Sequence, residues 1–288
     1  ITADGKNVEI IVYRCNFLLN RAFGVVGAIM VTNSARAAIK ACNFSHNSAT
    51  SAGVLGMSAG AIVLITECNF INNTATFRTV IDAVDRVAVI VNSSHFQNNY
   101  AQSGGNIYAA QLTSITITNT TFVNNTEKLF WTQQYSDITF KTCKIHKHIN
   151  SPLSSVGTVQ IKSKVTIENC KVSKNSKFLS ATDNSIANLY QTVFVDNVNK
   201  GDSIFRIVNS YLMVHHCSFT NNQGSGHGGI IFTTTSNVTL SNSKFLHNKV
   251  TGEGIGAVAY VSELTSGLEV KNCEFINNIA ELYGGALF

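Results

Sequence analysis

The 288 residues are 44% hydrophobic and only 13% charged, with a formal net charge of +5. That balance excludes a disordered chain, and no apolar run approaches the roughly 18 residues of a membrane helix, so no membrane-spanning segment is expected. The charge is modest and its basic residues are not interleaved with aromatics along a groove, so no nucleic acid is expected as a partner.

The chain opens Ile1-Thr2-Ala3-Asp4-Gly5-Lys6, without the basic and apolar regions of a signal peptide, as expected of a mature or trimmed chain. From there a Cys-x-Phe-x-x-Asn unit recurs, most plainly at Cys68-Asn69-Phe70-Ile71-Asn72-Asn73. Its phenylalanine slot is filled by Phe17, Phe44, Phe70, Phe96, Phe122, Ile145, Val172, Phe194, Phe219, Phe245 and Phe275, at spacings of 22 to 30 residues. A period of this size is the signature of a solenoid.

Aligned on that slot, two residues earlier stand Cys, Ser or Thr, and all seven cysteines fall in this column. Three residues later stands Asn in every copy except one, where His148 replaces it. Five and seven residues earlier the columns are aliphatic, as at Val89 and Val91 or Ile115 and Ile117. This is the period-two pattern of strands with one buried face, with a change of phase that places a turn at the fourth and third residues before the slot. A small residue nine positions on (Gly53, Gly105, Gly228, Gly254, Gly284) precedes another apolar strand.

The expected fold is therefore all-β: a right-handed parallel β-helix, or β-solenoid, of about 11 coils of about 26 residues with three short strands each. Residues 1–288 read as one β-helix domain, a segment of a longer solenoid or a filament subunit. The coils around 145–194 are irregular, and the only proline, Pro152, lies there. The phenylalanines are expected to stack in the core. The Asn column is expected at a left-handed turn, bonding to its counterpart one coil on. Both termini read as lying inside the repeat, which suggests self-association through open coil ends or neighbouring solenoid segments.

The pairing of FxxN (Phe44-Ser45-His46-Asn47, Phe70-Ile71-Asn72-Asn73, Phe219-Thr220-Asn221-Asn222, Phe275-Ile276-Asn277-Asn278) with Gly284-Gly285-Ala286-Leu287 resembles the polymorphic outer-membrane protein repeat. Weaker copies of the second motif stand at Gly228-Gly229-Ile230 and Gly27-Ala28-Ile29. In that family the repeats build a β-helical passenger domain on the cell surface that serves in adhesion, and similar repeats occur in large surface proteins of unicellular eukaryotes. The resemblance covers nearly the whole chain, without a counterpart of the family's C-terminal barrel. It implies an extracellular or cell-surface location.

Chemistry is sparse. The cysteine column admits disulfides or thiolate sites, but Ser and Thr interchange with Cys there, which favours a slot for a small side chain packed beside Phe. Asp82 and Asp85 have no acidic neighbours at the same offsets one coil away. Asp183, Asp196 and Asp202 lie at scattered offsets near one another, with Lys200 and Arg206 nearby, and are the least implausible cluster for such chemistry, while Gly226-His227-Gly228 reads as a glycine turn. No catalytic residue, metal site or cofactor is expected. Lysines crowd one region, and Lys144, Lys147, Lys162, Lys164, Lys171 and Lys174 form a candidate patch for an anionic ligand. Sequons at Asn43, Asn72, Asn92, Asn119, Asn124 and Asn237 fall at outward or turn offsets and could carry N-glycans. The expected function is that of a non-enzymatic extracellular structural or adhesive rod with glycans as covalent or bound partners. The alternative is a carbohydrate-active β-helix that binds or cleaves a polysaccharide.

Overall fold

The computed structural model describes residues 1–148, 154–263 and 265–288. Among these every regular element is a strand, all named pairs are parallel, and each of three strand positions in the coil recurs eleven times. The chain divides into two compact units, Ile1–Lys144 and Ile145–Phe288, and the division falls where the irregular coils begin. Pro152 lies outside the described residues.

One coil of the first unit shows the construction. Strand Arg78–Val84 ends in a left-handed pair, Asp85 and Arg86 (φ 68° and 58°). Strand Ala88–Asn92 follows, then a single left-handed residue, Ser93 (φ 49°). Strand His95–Gln97 carries Phe96 and is closed by another left-handed residue, Asn98 (φ 52°). The second unit repeats this with Leu179–Ala181, Ile186–Tyr190 and Val193–Val195, turned by Asp183, Asn184, Gln191 and Asp196. The expected two-residue turn before the Phe slot is thus one residue long, because its first position still pairs in the strand, as in Asn92↔Thr118.

The core follows from the register. Phe44, Phe70, Phe96 and Phe122 are direct partners on neighbouring strands, fully buried, with ring centroids 4.7–5.0 Å apart. That is the strand spacing itself, so a period-true sequence stacks its aromatics automatically. In the second unit Phe194, Phe219, Phe245 and Phe275 stack at 4.7–5.1 Å. Near the irregular coils other rings enter the core. Phe140 meets Phe122 edge-on at 5.8 Å in the first unit, and Phe178 lies 5.4 Å from Phe194 in the second.

The two asparagines of FxNN do different jobs. The first adopts the left-handed conformation (Asn72, Asn98, Asn124, Asn221, Asn277), which costs most other residues about 1–2 kcal/mol. The second, where the left-handed turn was expected, lies buried behind it in a ladder. Asn99 Oδ1 accepts the backbone N–H of Asn73 at 3.1 Å and its side-chain N–H at 2.9 Å. Asn99 Nδ2 donates to Phe70 O and to Asn125 Oδ1, both at 2.9 Å. Every polar atom of the amide is used, and the same pattern holds at Asn222 and Asn248 in the second unit.

The Cys/Ser/Thr column is a second ladder. Cys68 Sγ accepts the Cys42 N–H at 3.5 Å and donates to Thr66 O at 3.3 Å. Ser94 Oγ takes the Cys68 N–H at 3.1 Å, and Thr120 Oγ1 takes that of Ser94 at 3.3 Å. The slot therefore needs a small side chain that can also accept and donate, which sulfur and hydroxyl share. Cys15, Cys42, Cys68, Cys217 and Cys273 are not in disulfides. Burial pushes the Cys68 and Cys217 thiols up to about 11. Alkylation of the native protein at neutral pH is expected to label exposed Cys15 first and to leave Cys68 and Cys217 unmodified until unfolding, as peptide mapping would show. Cys68→Ser should be nearly neutral, whereas Cys68→Val should cost about 1–2 kcal/mol by stranding the Cys42 N–H.

A third ladder, not anticipated, runs at the other corner: Thr113 accepts from Val87 N, Ser136 from Thr113 N, and Ser236 from Ser210 N, at 3.0–3.3 Å. Glycine enters for closeness. A Cβ at Gly53 would stand 2.7 Å from Thr79 O and 2.8 Å from Thr74 O.

A candidate binding flank on the first sheet

The outward column of the first-position strands carries the densest functional chemistry. In the first unit Gly56, Asp82, Tyr108 and Trp131 are register partners on successive strands. A bulge between Arg78 and Ile81 turns Arg78 back over this column. Its Nη1 lies 3.1 Å from both carboxylate oxygens of Asp82, and its guanidinium carbon sits 3.7 Å from the Tyr108 ring centroid. Ser51 Oγ donates to Asp82 at 3.4 Å, and Gln133 Nε2 donates to the Tyr108 hydroxyl at 2.5 Å. Trp131 meets Tyr108 edge-on at 5.5 Å, with the Lys128 ammonium 4.4 Å from an indole ring centroid.

Electrostatics follow from this crowding. Asp82 is only 7% exposed, and burial raises its pKa even though Arg78 and Ser51 oppose the shift. Burial likewise lowers the Lys128 pKa against the pull of Glu127, and raises that of Tyr108. Cations lie against both rings and the Arg78–Asp82 pair fixes them; Tyr108 is covered, at 3% exposure, so half-buried Trp131 with Arg78 and Lys128 is the surface offered to a ligand.

The second unit carries its own version. Ser180, Arg206, Phe232 and Tyr260 are register partners in the same outward column. Arg206 lies over Phe232 at 4.8 Å, Phe232 and Tyr260 stack at 5.7 Å, and His227 stacks on Tyr260 at 5.0 Å. Asp202 holds this group from below, 2.9 Å from Lys177 Nζ and 3.5 Å from Arg206. Burial alone would raise the Asp202 pKa, but the Lys177 bond and charge, the Ser203 N–H and Arg206 outweigh it and draw it down.

The two carboxylates should therefore respond oppositely to pH. Asp202 stabilises the fold above the ordinary carboxylate range, and that contribution is lost as pH falls through its depressed pKa; Asp82 favours the fold in its protonated form, a contribution lost as pH rises through its raised pKa. In thermal melts from acid to neutral pH, Asp202→Asn should lose most at neutral pH. Asp82→Asn should instead remove a penalty that the parent incurs on ionising.

The sequence-based candidates are dispersed differently. Asp183 and Asp196 occupy two separate corners of a coil and Asp202 a third position, so they form no acidic group. Gly226 and Gly228 form the expected turn (φ 77° and 66°), though it also delivers His227 to Tyr260. Of the six lysines, Lys147, Lys171 and Lys174 gather around His146, while Lys162 and Lys164 lie at the preceding corner and on the second-position strand Lys164–Glu168. Lys144 ends the first unit. None of the six sequon asparagines is buried. Asn43 bonds Asn16 and Asn69 at 2.9 and 2.7 Å, Asn72 bonds His46, and Asn124 donates to Asn98. Asn92 accepts from Ser93 and Thr118. Asn119 and Asn237 are exposed and hold no side-chain hydrogen bond among the described residues.

The aromatic column is hard to see in the sequence because corners gain or lose residues. Counted back from the Phe slot, Tyr108 and Trp131 stand 14 residues away, Phe232 stands 13 and Tyr260 stands 15. Only strand pairing brings them into line.

With this geometry in hand, comparison with known proteins places the fold. A family model described as the right handed beta helix region matches residues 27–151, 80–226 and 154–286. The chain belongs to that family. No curated protein and no solved structure matches it. This β-helix thus has the right-handed coil expected from its parallel crossovers. Among its described residues no helix is long and apolar enough to cross a membrane.

Proposed function

We propose that this β-helix is a non-enzymatic extracellular or cell-surface protein of structural or adhesive type that holds glycans against its aromatic flank. The observation that carries the reading is the Arg78–Asp82–Tyr108–Trp131–Lys128 group. Sugar rings present apolar faces that pack on aromatics, together with hydroxyls that suit cationic and amide partners. Asp82 is paired with Arg78, and Asp202 with Lys177 and then Arg206, which supports holding a ligand over acid–base chemistry. The FxxN and GGA-type repeats support the surface location.

Trp131 is the only tryptophan, so binding in the first unit should change intrinsic fluorescence. Titration with neutral, acidic and sulfated polysaccharides is expected to give a saturable change for at least one class, lost in Arg78→Ala; Trp131→Ala, which removes the reporter itself, should lose binding by calorimetry. A flat response across all classes, with no binding by a label-free method, would end this reading.

One observation favours cleavage instead: the raised pKa of Asp82 is the property of a general acid. Prolonged incubation with any bound polysaccharide decides between them, since new chain ends that disappear in Asp82→Asn would make the flank catalytic. End-to-end assembly belongs to the same proposal, supported by the matching register of successive coils. Electron microscopy with mass measurement should show filaments, and isolated monomers at all concentrations would remove it. If the protein passes through a glycosylating secretory pathway, glycopeptide mapping should find Asn119 and Asn237 occupied ahead of Asn43, whose amide is tied into the Asn16–Asn43–Asn69 ladder.

A further inference from the structure

We propose that the second unit carries an oxyanion site, formed by His146, Lys147, Lys171, Ser173 and Lys174, that receives a sulfate or phosphate ester. It lies on the third-position strands and is separate from the aromatic flank. Lys147 and Lys174 occupy successive copies of the left-handed corner after the Phe slot (φ 56° each), so their side chains leave the coil about one strand spacing, roughly 4.8 Å, apart. Lys147 N donates to Ser173 O, which locks this pairing. Lys171 and Ser173 alternate with inward Val172 on strand Lys171–Ser173; Lys171 is exposed, whereas Ser173 is largely covered, at 7% exposure. His146 Nδ1 and Ser173 Oγ are 2.9 Å apart, and Lys147, Lys174 and Lys171 all act electrostatically on this imidazole.

Three lysines rooted on neighbouring corner and strand positions repel one another, and a doubly charged oxyanion would relieve that repulsion while accepting from lysine, serine and imidazole donors. The positive field is visible at the histidine. Burial and then Lys147, Lys174 and Lys171 hold the His146 pKa below its ordinary value. The next residue in the left-handed column is exposed Asp196, which leaves the three-lysine corner net positive. Nothing in the three stacking ladders requires lysine at these positions, since the same corner is filled by Asn221 and His247 elsewhere in the unit.

The linkage has a definite sign. His146 is neutral at neutral pH, and its protonation adds a positive charge beside the bound anion, so binding takes up a proton. Affinity for sulfate should rise as pH falls through the lowered histidine pKa. For a phosphate monoester the gain is blunted, because its own second proton is taken up near pH 6. Salt should weaken both.

Calorimetric titration of the full chain at low ionic strength, with inorganic sulfate, inorganic phosphate, dextran sulfate and neutral dextran, tests the site. Saturable binding of at least one anion is expected, with none of neutral dextran, and at least a tenfold loss in Lys147→Gln/Lys174→Gln. Lys162→Gln/Lys164→Gln, with the same loss of charge at another corner and strand, should bind like the parent. His146→Ala should bind at neutral pH but lose the strengthening on acidification. Preference for sulfate over phosphate, or the reverse, assigns the ester. Equal losses in the two lysine pairs would reduce the effect to overall charge and overturn the site, as would the absence of saturable anion binding in a parent whose thermal melt is intact.

Discussion

Asn99→Ala is expected to destabilise the first unit by about 3–5 kcal/mol, although no apolar contact is removed. Four hydrogen bonds disappear: two that Asn99 Oδ1 accepts from Asn73, and two that Nδ2 donates to Phe70 O and Asn125 Oδ1. Asn73 and Asn125 lie in the same buried column, where water cannot replace the lost partners. Each buried group left unsatisfied costs about 1–3 kcal/mol, and partial relaxation keeps the total below their sum. The neighbouring Asn98 supplies the control. It is left-handed and partly exposed, and its side-chain oxygen serves only exposed Asn124, so Asn98→Gly should change stability by less than about 1 kcal/mol. Urea unfolding of the two variants reads the difference. Similar losses at both positions would mean that the ladder contributes nothing beyond the turn.

Phe96→Ala should cost about 3–5 kcal/mol, the range for removing a fully buried aromatic from a packed core. Its ring lies 4.7 Å from Phe70 and 4.8 Å from Phe122, so the vacancy would open between two stacked rings held by strands of fixed spacing. Collapse is therefore limited, because closing the gap would require breaking backbone ladders on both sides. Phe96→Leu retains most of the volume and should cost under about 1.5 kcal/mol. Chemical denaturation of both variants checks this. A loss below about 1 kcal/mol for Phe96→Ala would show that the phenylalanine stack fills space without contributing appreciably to stability.

These two variants probe the parts of the molecule that were plain in the sequence. A recurring Phe at nearly constant spacing, with Asn three residues later, specifies coils that stack in register, because parallel strands align like residue over like residue. Fold class, the buried faces and the aromatic stack followed from that period alone. The left-handed column one residue before the Asn ladder did not, because Leu19, His46 and Lys147 fill it alongside asparagines and conceal the pattern. The hydrogen-bonding role of the cysteine column was likewise concealed: interchange of Cys, Ser and Thr suggests size, and only the Cys42 and Cys68 N–H groups pointing at the next sulfur or oxygen reveal the second requirement.

The coil is legible residue by residue, since period and polarity are local properties that each copy states again. The surface, by contrast, is set by how the coils pair. Tyr108 and Trp131, or Phe232 and Tyr260, become neighbours through strand pairing across corners of unequal length, and Arg78 joins them through a bulge that no composition or spacing announces. The Cys-x-Phe-x-x-Asn unit specifies how coils stack. The chemistry this β-helix offers to a ligand is set by outward residues that the stacking brings together.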